Sequence, residues 1–119
     1  MNFEEHAQMP LPPQWRPFME RNRLIAGQLS DAHRGVNKYA PSLFRRVKDT
    51  VGTSLPYLGD IDEDTVAAWN ALPSLRERAQ LVRGALLILG STNDVVADLV
   101  LTLETDITMI DYLMEEKVW

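Results

Sequence analysis

Three stretches of this sequence repeat apolar residues at intervals of three and four, and that alternation allows little besides packed helices. In the last third, Val96, Leu99, Leu103, Ile107, Ile110 and Met114 are spaced 3, 4, 4, 3 and 4. Leu75, Ala79, Val82, Leu86 and Leu89 are spaced 4, 3, 4 and 3. Phe18, Ile25, Leu29, Ala32 and Val36 follow at 7, 4, 3 and 4. At about 100° per residue, each set falls on one helix face. A chain of 119 residues with three such stripes predicts one all-α domain, a small helical bundle of about four to five helices.

Proline and glycine set the expected boundaries. Residues 1–13, MNFEEHAQMPLPP, hold three prolines and little periodicity, so they are read as an irregular arm before a helical domain at 14–119. The first helix is expected from Gln14, with Pro17 tolerated in its opening turn. Pro41 should break or kink it near Ala40, and a shorter segment from Ser42 to Val51 should stop at Gly52. GTSLPYLGD reads as loop. A third helix is expected from Asp62 to Leu72, ended by Pro73. A fourth should start at Ser74, with Ser74 and Glu77 in capping-box spacing, and stop at Gly90. STND caps a last helix over Asp94 to Lys117. The β-branched content of LVLTLETDITMI leaves strand as a weaker alternative there.

Two sets of apolar residues lack an obvious local core. Phe3, Met9, Leu11 and Trp15 lie in or beside the arm, and either fold back onto their own domain or dock on a partner. The segment GALLILG is apolar nearly all round and calls for burial on most sides, by its own domain or by another subunit.

The residues give no positive sign of catalysis. There is no cysteine, so disulfides and thiolate metal sites are excluded. The two histidines, His6 and His33, show neither an HExxH pattern nor helical pairing, and no third ligand lies near either in sequence; a zinc site is not expected. His33 reads as a polar residue beside the helix core. Asp60, Asp62 and Asp64 match the opening of a calcium loop, but Thr65 and Ala71 stand where the turn glycine and bidentate glutamate belong. An acidic helix start explains them better. Phosphate-loop and GxSxG patterns are absent. No cofactor and no enzymatic activity are expected.

Charge is divided along the chain. Residues 14–48 carry eight basic and two acidic side chains, whereas residues 94–117 carry seven acidic and one basic. Arg16, Arg23, Arg34 and Lys38 form a basic outer stripe on the first helix, with Arg45, Arg46 and Lys48 beyond it. That stripe is the best nucleic-acid candidate, but a net charge of −5 opposes it. The longest apolar run, Ala85 to Leu89, is far short of the roughly 20 residues of a membrane span, and the N-terminus lacks a signal-peptide pattern. A soluble, cytoplasmic protein is expected.

In layout the chain resembles the small quorum-sensing antiactivators of the TraM and QslA type. The resembling pieces are the leader ending in LPP, the helix carrying DAHRGVNKYAPSLFRRV, and ERAQLVRGALLILG, whose apolar second half is closed by glycine. The resemblance implies a homodimer that sequesters a LuxR-type transcription factor, such as one of the LasR class, and blocks its dimerisation or DNA contact. Phe3, Met9, Leu11, Trp15 and Phe18 would then be partner contacts, and Leu86, Leu87 and Leu89 dimer or core residues. The alternatives are a nucleic-acid-binding regulator acting through the basic first helix, or an inhibitor of another protein such as a toxin or phage/host factor.

Overall fold

A computed structural model describes residues 5–6, 13–51, 63–89 and 94–116, the side chains of 48–51 excepted. Among the described residues there are four α-helices and no strand: α1 (Arg16–Arg21), α2 (Arg23–Val51), α3 (Glu63–Leu89) and α4 (Asp94–Glu115). A single 3-10 turn, Pro13–Trp15, leads into α1. Glu5 and His6 are themselves helical, so the arm is not wholly irregular. The expected GTSLPYLGD loop, the calcium-loop residues Asp60 and Asp62, and the stops at Gly52 and Gly90 lie outside the described residues.

Proline punctuates this chain less than expected. Pro17 sits in the first turn of α1, where its missing N–H costs nothing. Pro41 and Pro73, however, lie inside α2 and α3: the helix expected to end at Pro73 continues, and of the break or kink expected at Pro41 the break is corrected to continuous helix. An interior proline costs about 3 kcal/mol or more. Burial outweighs that cost, because the stripe runs unbroken past each ring. Val36, Ala40, Leu43 and Val47 are buried around Pro41, and Trp69, Leu72, Leu75 and Ala79 around Pro73. Ser42 donates its hydroxyl to the Tyr39 carbonyl at 3.1 Å, occupying an acceptor beside the proline. Ser74 is therefore an exposed mid-helix residue, not a cap.

The real interruption is Asn22, whose backbone (φ −121°, ψ 56°) leaves the helical region between α1 and α2. Its side-chain amide donates to the Phe18 carbonyl at 3.0 Å, closing the end of α1. Asparagine suits this place because a short amide competes with the helix for nearby backbone groups.

The helices pack as an antiparallel array with extents of 49 × 24 × 20 Å. Two apolar clusters define its register. One joins Val36, Leu43 and Val47 of α2 to Trp69 and Leu72 of α3 and Met109, Ile110 and Leu113 of α4. The other joins Trp15, Phe18 and Leu29 to Val82 and Leu86 of α3 and Leu99 and Leu103 of α4. The late part of α2 thus meets the early part of α3 and the late part of α4. Each consecutive long pair runs antiparallel.

In α4 the buried face drifts from the expected one. Val96, Leu99, Leu103 and Ile110 are buried, but Ile107 is half-buried and Met114 exposed, while Asp106, Met109 and Leu113 go inside. Helix is the outcome despite the β-branched run. Thr102, Thr105 and Thr108 donate their hydroxyls to the carbonyls of Asp98, Leu101 and Glu104, four residues back. Two acidic residues of α4 pair with arginines of α3. Arg76 bonds Asp111 at 2.5 Å, and Arg83 reaches one oxygen of Glu104 through two nitrogens at 3.0 and 2.8 Å. These pairs are partly exposed, so each adds under about 1 kcal/mol.

Two glycines in α2 behave differently. A β-carbon at Gly35 would collide with the Leu75 side chain, so this glycine permits the close approach of α2 and α3. A β-carbon at Gly27 meets nothing. Gly27→Ala should therefore stabilise the protein by about 0.5–1 kcal/mol in urea melts, because alanine restricts the unfolded chain and favours helix. Gly35→Ala should show no such gain.

Candidate functional site

Between the two apolar clusters lies a buried polar layer. Asp106 of α4 is 0% exposed, and it accepts from two imidazoles, one on each oxygen. His6 Nε2 lies 2.6 Å from Oδ1, and His33 Nδ1, on α2, lies 2.8 Å from Oδ2. The two rings meet edge to face, with centroids 5.7 Å apart and planes at 77°. Both histidines are also buried. A carboxylate only accepts, so the two facing ring nitrogens donate.

The helical repeat places these groups. His33 follows Leu29 by four residues and precedes Val36 by three, and both neighbours are fully buried. Asp106 stands likewise between Leu103 and Ile110 on the inner face of α4. The expectation that His33 lies beside the core is too weak, since it lies in it. Asp106 was missed as a site residue because it is 73 residues from His33 and 100 from His6. One signal could have found it: a carboxylate in step with an apolar stripe has to be partnered once buried.

No third ligand lies near either histidine in sequence, but the fold brings a distant one to both. His6, His33 and Asp106 bring their donor atoms within 4.8 Å of one another. The surface depressions between α1 and α2 (about 490 Å³) and between α2 and α3 (about 370 Å³) include none of the three. The first is bordered by Arg16, Met19 and Arg23, the second by Arg34, Lys38 and Arg78.

The second feature is apolar and on the surface. Among the described residues of the GALLILG segment only Leu86 is fully buried; Leu87 and Leu89 are about half exposed, and Ile88 is 88% exposed. Leu81, seven residues before Ile88 and on the same face, is 68% exposed. Gly84 and Ala85 lie between them. Gly35 of α2 packs at Leu75 of α3. Leu24 is 77% exposed.

The expected partner-contact residues divide. Trp15 and Phe18 are buried in the cluster around Leu29, Val82 and Leu86, which agrees with folding back onto their own domain. Phe3, Met9 and Leu11 lie outside the described residues. Of the expected dimer or core residues, Leu86 is core, while Leu87 and Leu89 face solvent.

Among the described residues no helix is long and apolar enough to cross a membrane. No protein-family model matches the chain, and no curated protein or solved structure matches it.

Proposed function

We propose that this chain is a non-catalytic regulatory protein that acts by binding another protein, with the exposed apolar flank of α3 as its contact surface. The observation that carries the proposal is the exposure of Leu81 and Ile88 on one face. A lone exposed leucine is ordinary, but several large aliphatic side chains grouped in solvent mark a docking surface. Residues seven apart lie only about 20° apart around a helix. The small residues Gly84 and Ala85 between them leave a groove into which a partner helix fits its side chains. Leu87 and Leu89, each about half exposed, flank Ile88 about 100° to either side.

In its sharpest form the partner is a LuxR-type transcription factor whose dimerisation or DNA binding is blocked, which makes the chain a cytoplasmic quorum-sensing antiactivator. That form rests on the resemblance in sequence layout. A toxin or phage/host factor would use the same surface physics.

The test is a titration of the full chain against a purified LasR-like regulator. The wild type should bind saturably, and Leu81→Glu/Ile88→Glu should weaken binding by about a hundredfold or more with unchanged thermal stability. No binding by the wild type contradicts a LuxR-type partner. Binding undiminished in the double variant contradicts the α3 surface. Sedimentation of the chain alone covers the homodimer: a wild-type dimer that the double variant makes monomeric assigns this face to a second copy.

The nucleic-acid alternative has one observation in its favour, since Arg16, Arg23, Arg34 and Lys38 are all exposed along α1 and α2. Glu20 and Asp31 interrupt them. Retardation of DNA in gels that falls steeply with salt would favour that alternative over protein binding.

A further inference from the structure

We propose that His6, His33 and Asp106 form a site for a divalent transition metal, Zn2+ foremost, which clips the N-terminal segment onto the bundle. Three observations carry this. The donors come from three separate parts of the chain and converge within 4.8 Å. Two imidazoles and one carboxylate are a donor set that suits Zn2+ and its neighbours, and three protein ligands leave a position for water. Apolar clusters lie on either side, with Leu29 and Leu103 on one and Val36 and Met109 on the other. Such a dry shell strengthens binding of a cation by a buried carboxylate.

The donors converge but must rearrange to share one ion. The imidazole–carboxylate separations of 2.6 and 2.8 Å are hydrogen-bond lengths. Ligand atoms around tetrahedral zinc, each about 2.0–2.2 Å from the ion, lie roughly 3.3 Å apart. The two nitrogens bond different oxygens of Asp106 and the donor atoms spread over as much as 4.8 Å, so loading turns the carboxylate and draws the farthest pair together by about 1.5 Å. Each coordinating nitrogen gives up its proton, to the second nitrogen of its own ring or to solvent, and offers a lone pair instead. His6 is the most exposed of the three and stands outside the long helices, so the ion enters at His6. The proposal stands apart from the α3 surface and survives if that surface proves idle.

The test uses chelator-treated full-length protein titrated with Zn2+ by calorimetry and with Co2+ by visible absorption. One equivalent should bind, Co2+ should show the ligand-field bands of a low-coordinate site, and thermal stability should rise with Zn2+. His6→Ala leaves the helices intact and should weaken Zn2+ binding roughly tenfold or more, with the Co2+ bands lost. Asp106→Asn, which keeps the side-chain shape, should do the same. Absence of stoichiometric Zn2+ binding, or binding equally tight in His6→Ala, would overturn the proposal and leave the trio as a hydrogen-bonded lock only.

Discussion

In chelator-treated protein, Asp106→Ala should lower the free energy of unfolding by roughly 3–5 kcal/mol, measured by urea denaturation. The carboxylate is fully buried and serves His6 and His33 at once. Alanine takes both acceptors away and leaves two imidazoles facing a void between apolar clusters. Orphaned buried donors cost about 1–3 kcal/mol each, and the cavity adds to that. A domain of ordinary stability has only about 5–15 kcal/mol to lose. A second variant separates polar pairing from packing. Asp106→Leu/His33→Leu removes the polar pair and refills the space, so it should recover much of the loss, as apolar replacement of buried ionic groups often does. A loss below about 1 kcal/mol for Asp106→Ala would mean that the trio is not formed in solution.

Trp15→Ala should cost roughly 3–5 kcal/mol by the same measurement. The indole packs in the cluster that joins Phe18, Leu29, Val82, Leu86 and Leu99, and is only 4% exposed. Its removal leaves one of the largest cavities a single substitution can make here. Trp15→Phe should cost far less, because it keeps most of the ring. It also removes an indole N–H that is buried and meets no acceptor among the described residues. If Trp15 were a partner anchor in solvent, alanine there would weaken binding and leave unfolding unchanged. The two outcomes are distinct.

Much of the fold was legible because helix faces repeat. The stripe through Leu75, Ala79, Val82 and Leu86 is buried as its spacing requires, and the 3-4 spacing in α4 outweighed its β-branched residues. What misled was local chemistry taken without tertiary packing. Pro41 and Pro73 are helix breakers in isolation, yet each sits between buried residues that hold the backbone helical. Asn22 carries the actual break, and nothing in periodicity marks it. The polar layer was not legible as a site, since it needs three segments distant in sequence. The stripe position of Asp106 was visible, but its partners were not. The GALLILG segment was identified as needing cover, and Ile88 and Leu81 remain in solvent on this chain alone.

The claim that α3 supplies the contact surface is most directly tested by thiol protection, which the absence of native cysteine makes clean. Ile88→Cys and Asn70→Cys each place one exposed thiol on α3, separated by about 27 Å of helix. Each variant is alkylated alone and with a saturating LasR-like regulator. The account predicts that the partner slows modification at position 88 by about tenfold or more while position 70 reacts at its unbound rate. Equal rates at position 88 with and without the bound regulator would contradict it.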